Sequence, residues 1–283
     1  MANVLRTLVF DGQVSLTIAD TTEIVKEGIK LHRLSPVSAH FFGKALCVMT
    51  YMSACLKDEK GEISLSLKTD GEGQEIAVSG NKALRLRGYV ENTQMDGIPS
   101  AETEKKALGT WGALTIIRDD GYNRPFVGTC AIPEEGGVDE AFEEYYRVSE
   151  QLPTRIVSTL DFDEQGQLVF AGVVVLQPLP FAEEAVISAV NAFPMEKLLA
   201  QTREKGVEKT TEENFGRQDL VWELRQASYK CNCSRDYLTR VIVSLGEAQT
   251  REVIREDGAV RIHCHYCNTD YEFTEEDADK IFT

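Results

Sequence analysis

Cys231-Asn232-Cys233 and, further on, Cys264-His265-Tyr266-Cys267 set four thiols as two tight pairs near the end of a 283-residue chain that has seven cysteines in all. Four thiolates can converge on one zinc ion at about 2.3 Å and close a tetrahedral shell. Each pair can also close on itself as a local disulfide once a metal has left. The Cys264/Cys267 spacing is common in zinc sites, because it lets the backbone loop around the ion and aim its amides at the sulfurs. The Cys231/Cys233 spacing is tighter and gives that pair a different geometry and reactivity. Between the pairs the pattern reads as a helix over 234–245 stopped by Gly246, a strand at 252–255, a turn at Asp257-Gly258 and a strand over 259–262. The unit from 229 to 283, about 55 residues, has too little core to stand unaided, and a structural metal is the usual remedy at that size.

Spacing alone leaves three readings open. The four cysteines can form a purely structural zinc ribbon. They can form a redox-responsive site, since thiolates oxidised to disulfides no longer serve as ligands and metal binding is coupled to folding. A catalytic zinc fits least, because four sulfurs leave no open position for water. His263 and His265 flank Cys264 and read as surface residues or as supports for the ligands. Lys230, Arg235 and Arg261 are placed to offset the negative charge of a zinc tetrathiolate. Cys47 and Cys55 lie in an apolar helical stretch where small buried hydrophobes are expected. Cys130 ends a strand, and His32 and His40 read as structural.

Outward from the cysteines, residues 181–228 read as a helical linker. A helical pattern over 181–199 carries Val186, Val190 and Phe193 on one side and is interrupted by Pro194. A polar connector spans 205–217, and a short amphipathic helix is expected over 219–227 with Leu220, Leu224 and Ala227 on one face. Helices this short have little stability of their own and depend on a packing partner. Residues 1–180 read as a main domain. Strands are expected at 4–10 and 14–18 around an Asp11-Gly12-Gln13 turn, at 63–68, 75–78, 83–90, 114–118 and 124–130, and at 154–159 and 167–177. A buried helix spans 35–56 with Pro36 near its start, and a second helix runs over 138–152 until Pro153. The expected fold class is α+β: a sheet-and-helix N-terminal domain, a helical linker and a small zinc-binding C-terminal domain at 229–283.

A net charge of -16 with no basic run argues against nucleic acid, whose phosphates need a concentrated cationic patch. The most apolar stretch, 170–176, is too short to span a bilayer. The opening residues do not read as a signal peptide, so a reducing, cytoplasmic setting is expected, where paired cysteines point to metal or redox chemistry. Dinucleotide, phosphate-loop and serine-elbow motifs are absent, and no enzymatic activity is expected.

Cys231-Asn-Cys-Ser-Arg235, then Cys264-His-Tyr-Cys267 followed by Tyr271 and Phe273, resembles the zinc-binding end of the heat shock protein 33 family of redox-regulated holdase chaperones. Leu31-His-Arg-Leu-Ser-Pro36, Leu86-Arg-Gly88-Tyr89, residues 109–119 and Ser149-Glu-Gln151-Leu-Pro153 extend the resemblance over nearly the whole chain. Ser15 departs from it, standing where many members carry a basic residue, as do the flanking His263 and His265.

The resemblance implies that Cys231, Cys233, Cys264 and Cys267 bind one zinc per chain in a reduced, inactive protein. It further implies that oxidants form the disulfides Cys231–Cys233 and Cys264–Cys267 with release of zinc. The linker then unfolds, and the activated protein, a homodimer, holds unfolding clients without ATP before passing them to ATP-dependent chaperones. The alternative is a constitutive protein-binding module with a purely structural zinc ribbon. Val186, Val190, Phe193, Leu198, Leu199, Leu220 and Leu224 are the candidate client-binding side chains. Phe193, Leu198 and Leu199 also fit as core residues of the resting state.

Overall fold

The computed structural model describes residues 2–216 and 221–283. By contact density the chain divides into two compact units, Met1–Tyr229 and Lys230–Thr283.

The first unit is a ten-stranded sheet with helices on both faces. Its strands are β1 (Ala2–Val9), β2 (Val14–Asp20), β3 (Glu62–Thr69), β4 (Glu75–Asn81), β5 (Arg85–Val90), β6 (Gly112–Asp119), β7 (Phe126–Ala131), β8 (Arg155–Phe162), β9 (Leu168–Pro178) and β10 (Glu223–Tyr229). They lie in the order β7-β6-β3-β4-β5-β10-β1-β2-β9-β8. The helices are α1 (Thr22–His32), α2 (Pro36–Ala54), α3 (Ala101–Leu108), α4 (Val138–Tyr145) running on into a π-helical turn (Tyr146–Glu150), α5 (Glu184–Asn191), α6 (Met195–Lys205) and α7 (Val207–Phe215).

α2 is the spine. Ser35 caps it by accepting a hydrogen bond from the Ser38 amide, and Pro36 takes the first-turn place where no amide hydrogen is needed. Sixteen of its nineteen residues are buried, as an all-round apolar helix requires. Period-two alternation then sorts the strands above it. In β9, Ala171, Val173 and Val175 face the α2 core, while Val174 and Leu176 face the other way. β1 and β2 divide alike, with Val4 and Ala19 on the α2 side and Leu5, Val9, Val14, Leu16 and Ile18 on the other. These strands are apolar on both faces, so their second face needs a cover, and α5, α6 and α7 supply it.

A buried ionic cluster ties α2 to its neighbours. Lys44 Nζ lies 3.2 Å from both Glu104 Oε2 and Asp139 Oδ2, and His40 Nε2 is 3.2 Å from Glu104. Burial pushes the Glu104 carboxyl up, but the hydrogen bond from His40, the Lys44 ammonium and the Val138 amide outweigh it and lower it from 4.5 to about 2. A carboxyl depressed by folding stabilises the fold above its unfolded value, and that contribution is lost as pH falls toward the folded value. Between pH 6 and pH 3 the first unit is therefore expected to lose about 2 kcal/mol through this group. Urea unfolding at the two pH values checks this, and Glu104→Gln should remove that part of the pH dependence.

Three sequence expectations change. Of the helix expected at 219–227, residues 219 and 220 lie outside the described residues and 223–227 are strand: β10 runs antiparallel to β1, pairing Ala2 with Ala227 and Arg6 with Glu223, and parallel to β5 at Ser228–Arg85 and Tyr229–Leu86. The apolar spacing of Leu224 and Ala227 fits a helix, yet so short a helix is marginal, and two open strand edges offer hydrogen bonds that a helix in this place would leave unmet. The polar connector at 205–217 contains α7, set off by Gly206 and Gly216 at φ of 80° and 77° and burying Val207, Thr210 and Thr211. Its two threonines mute the hydrophobic period. The strand expected at 252–255 is helical, as described next.

The second unit holds α8 (Arg235–Leu245), α9 (Glu247–Asp257), a two-stranded hairpin β11 (Val260–Cys264) and β12 (Thr269–Phe273), and α10 (Glu275–Ile281). In α9, Thr250 and Ile254 are buried one turn apart, Glu247 pairs with Arg251, and Gly258 ends the helix in the left-handed region. The buried apolar cluster of this unit is Leu238, Ile242 and Phe273, with Val260, Ile262, Tyr271, Ile281 and Phe282 packed around it. A core of that size is small for an independent unit.

Candidate metal centre

Local structure brings the cysteine pairs together. Cys231 and Cys233 lie between β10 and α8, and Ser234 then caps α8 by accepting the Tyr237 amide at 3.1 Å. Cys264 ends β11 and Cys267 lies in the hairpin turn, so the second pair sits at the tip of the β11–β12 hairpin rather than after a finished one. Asn268, at φ 50°, takes the left-handed place that closes this turn, and the Cys267 amide reaches the Cys264 carbonyl at 3.3 Å. Arg235 fastens the first pair to the hairpin: it donates to the Glu272 carbonyl at 2.9 Å, pairs with Asp277 at 2.8 Å and stacks 4.4 Å from the Phe273 ring centroid.

The ligand atoms of Cys231, Cys233, Cys264 and Cys267 all lie within 4.8 Å of one another. A tetrahedron with metal–sulfur bonds of about 2.3 Å has edges of about 3.8 Å. Cys231 Sγ and Cys264 Sγ stand 3.8 Å apart, and Cys233 Sγ and Cys267 Sγ 3.0 Å. The four thiols form a cluster able to coordinate a metal ion, and their soft donor set fits zinc.

The sulfurs are not equivalent. Burial pushes the Cys233 thiol up, but hydrogen bonds from Tyr271 and the neighbouring thiols outweigh it and lower it to about 7. Burial raises Cys231 well above the usual thiol range and Cys267 to about 11. Two of the three cations named from sequence are engaged by carboxylates, Arg235 by Asp277 and Arg261 by Glu272. Among the groups on sulfur, the Cys233 amide lies 3.5 Å from Cys231 Sγ, the Tyr271 hydroxyl lies 3.3 Å from Cys233 Sγ, and the Thr269 side chain hydrogen-bonds Cys267. His263 pairs with Asp270 at 2.7 Å and packs edge-on to His265, with ring centroids 4.9 Å apart.

The remaining cysteines, Cys47, Cys55 and Cys130, belong to the first unit. Burial pushes Cys47 up to about 12 and Cys130 to about 11, and it raises Cys55 as well. A thiol that stays protonated is a poor nucleophile.

The candidate client-binding residues fall mostly under cover. Val190, Leu198 and Leu199 are buried on the second face of β1, β2 and β9, and Val186 and Phe193 pack against that cluster. Leu224, in β10, is half exposed. Leu220 lies outside the described residues. Sequence reasoning missed Phe10 and Phe215, which enclose Phe193: Phe193 and Phe215 stack at 5.5 Å, and Phe10 meets them edge-on at 6.0 and 6.1 Å. Phe215 stands alone among polar residues, and Phe10 read only as the end of a strand. Arg155 was missed too. Its guanidinium donates to the carbonyls of Val190 and Asn191 at 3.0 and 2.8 Å, closing the end of α5.

The model of the Hsp33 protein family matches residues 2–274. The chain belongs to the Hsp33 family. Hsp33 family members are non-enzymatic holdase chaperones. The chain is 30% identical to the 33 kDa chaperonin of Clostridium perfringens strain SM101, over 98% of this chain and 90% of that protein. It is also 30% identical to the 33 kDa chaperonin of Bacillus pumilus, covering 99% of this chain and 98% of the relative. The crystal structure of the 33 kDa chaperonin, a heat shock protein 33 homologue, from Thermotoga maritima superposes with a TM-score of 0.82 at 25% identity, covering 99% of this chain and 97% of that one.

Proposed function

We propose that this Hsp33 family protein is an ATP-independent holdase, silent while Cys231, Cys233, Cys264 and Cys267 hold one zinc ion and activated when they are oxidised. The observation that carries the reading is the burial of Val190, Leu198 and Leu199 beneath three short helices that run just ahead of the cysteine cluster in the chain. Bound zinc supplies four metal–sulfur bonds that tie the 231–233 segment to the hairpin tip.

The oxidant is a peroxide or hypochlorous acid. With peroxide, each cysteine pair gives up two electrons, and the peroxide leaves as two waters after taking two protons from the thiols or from solvent. The disulfides Cys231–Cys233 and Cys264–Cys267 are local, so they leave the two halves of the second unit untied. A crosslink between Cys233 and Cys267 would staple them together instead. A unit with three side chains at its centre then unfolds. Within the 181–228 linker α5, α6 and α7 follow, because they have eight, eleven and nine residues and rely on packing, while β10 stays paired to β1 and β5. Val186, Val190, Phe193, Leu198, Leu199, Leu220 and Leu224, with the sheet face they leave, become the client surface. The active form is a homodimer in the cytoplasm, and clients pass on to ATP-dependent chaperones when reducing conditions return.

A peroxide titration that follows zinc, free thiols and aggregation of a heat-unfolded client tests this. Zinc release, loss of four of the seven thiols and onset of holding should coincide. Zinc kept throughout activation overturns the trigger. Equal holding in the reduced and oxidised states would mark a constitutive binding module with a structural zinc ribbon. Peptide mapping that finds Cys233–Cys267 in place of the two local disulfides overturns the untying step.

A further inference from the structure

We propose that Tyr271 is a positioning residue of the switch, its hydroxyl donating a hydrogen bond to the Cys233 sulfur that holds this ligand in place and holds it back from oxidants. The inference rests on the zinc reading above and adds a control point to it. Tyr271 lies on β12, and its ring packs with the Leu238, Ile242 and Phe273 cluster. That packing aims its hydroxyl at Cys233 Sγ, 3.3 Å away. A zinc-bound thiolate has no proton, so in the loaded state the tyrosine has to be the donor.

The bond acts on one pair more than the other. Cys233 belongs to the Cys231/Cys233 pair, whereas Tyr271 is carried by the hairpin that bears Cys264 and Cys267. The contact is therefore a non-metal link from the second pair's element to a sulfur of the first. A hydrogen bond to a thiolate draws electron density from the sulfur and weakens it as a nucleophile toward an oxygen–oxygen bond or an alkyl halide. Hydrogen-bonded supports of this kind orient metal ligands and tune them, and their loss commonly costs 10–100-fold in metal affinity or activity. Arg235 and Arg261 are held by carboxylates, which limits what either guanidinium can offer the sulfurs. The phenol supplies Cys233 with a neutral donor at 3.3 Å.

Tyr271→Phe keeps the packed ring and removes only the donor, so the fold should persist. The test uses the full-length, zinc-loaded, reduced chain. Iodoacetamide labelling of Cys233, in which the sulfur displaces iodide, should quicken about tenfold in Tyr271→Phe, with Cys264 labelled at the wild-type rate. In the cobalt-loaded protein the sulfur-to-metal charge-transfer band should move to lower energy, a signature that mere loosening of the fold does not produce. With 3-fluorotyrosine at position 271, a stronger donor, both effects should reverse sign. Unchanged Cys233 labelling with an unmoved band overturns the proposal, and so does equal acceleration at Cys233 and Cys264, which would reveal a general prop. Failure of the wild-type protein to bind zinc or cobalt through the four cysteines would instead sink the metal reading beneath it.

Discussion

Leu198→Asp is expected to make the reduced, zinc-loaded protein hold clients without any oxidant. Leu198 is 1% exposed, on α6, in the cluster that covers β1, β2 and β9. An unpaired carboxylate buried there costs about 4 kcal/mol or more, which multiplies the fraction of molecules with the cover off by roughly a thousand. An eleven-residue helix has no comparable reserve of its own, so it should leave the sheet rather than bury the charge. The strands beneath keep their ladders and remain folded. Hydrogen exchange should find 184–215 unprotected and β9 protected, with four thiols still on zinc. Suppression of client aggregation should then match the oxidised wild type. If the cover opens and no client is held, the surface under α5 to α7 is not the binding surface.

Stripping the metal from the reduced protein should unfold residues 230–283 while leaving β9 and α2 folded. Structural zinc contributes about 10 kcal/mol or more to small domains that bind it through four ligands. Against that, this unit sets Leu238, Ile242 and Phe273 as its central cluster. A strong chelator, or Cys267→Ser, should abolish amide protection in α8, α9 and the hairpin, with the helical signal falling in proportion. β9 and α2 should exchange as before. Because no disulfide forms, this separates loss of metal from oxidation: holding activity without disulfides would mean that metal loss alone is the trigger. Persistent protection of 230–283 after metal removal would contradict the view that zinc holds the unit together.

The metal centre was legible because its signal is local: cysteine is rare in this chain, and ligand spacing within each pair is a backbone property. The same holds for α2, whose apolar residues face every way, and for β9, whose unbroken Val173-Val174-Val175 run announces a strand covered on both sides. Elements that depend on distant partners were not legible. β10 is a strand because β1 and β5 leave it a place, which no window of nine residues records. α9 was misread because Val253 and Ile254 favour either structure until Gly258 and the Glu247–Arg251 pair decide it. α1, α3 and α10 gave no expectation at all. Tyr271 was noted only as part of a motif, since its hydroxyl reaches Cys233 across 38 positions of sequence.

β10 has a consequence for the birth of the molecule. β5 and β1 are joined through it, so the other nine strands remain two separate half-sheets of five and four until residue 229 has left the ribosome. For about half of its own synthesis the chain carries two open strand edges, the kind of surface on which unfinished proteins aggregate. Translation must run past the first cysteine pair before the last gap can be filled. A protein that shields others from this hazard meets it first in itself, and slowing the ribosome between codons 90 and 229 should lower its yield more than slowing it anywhere after.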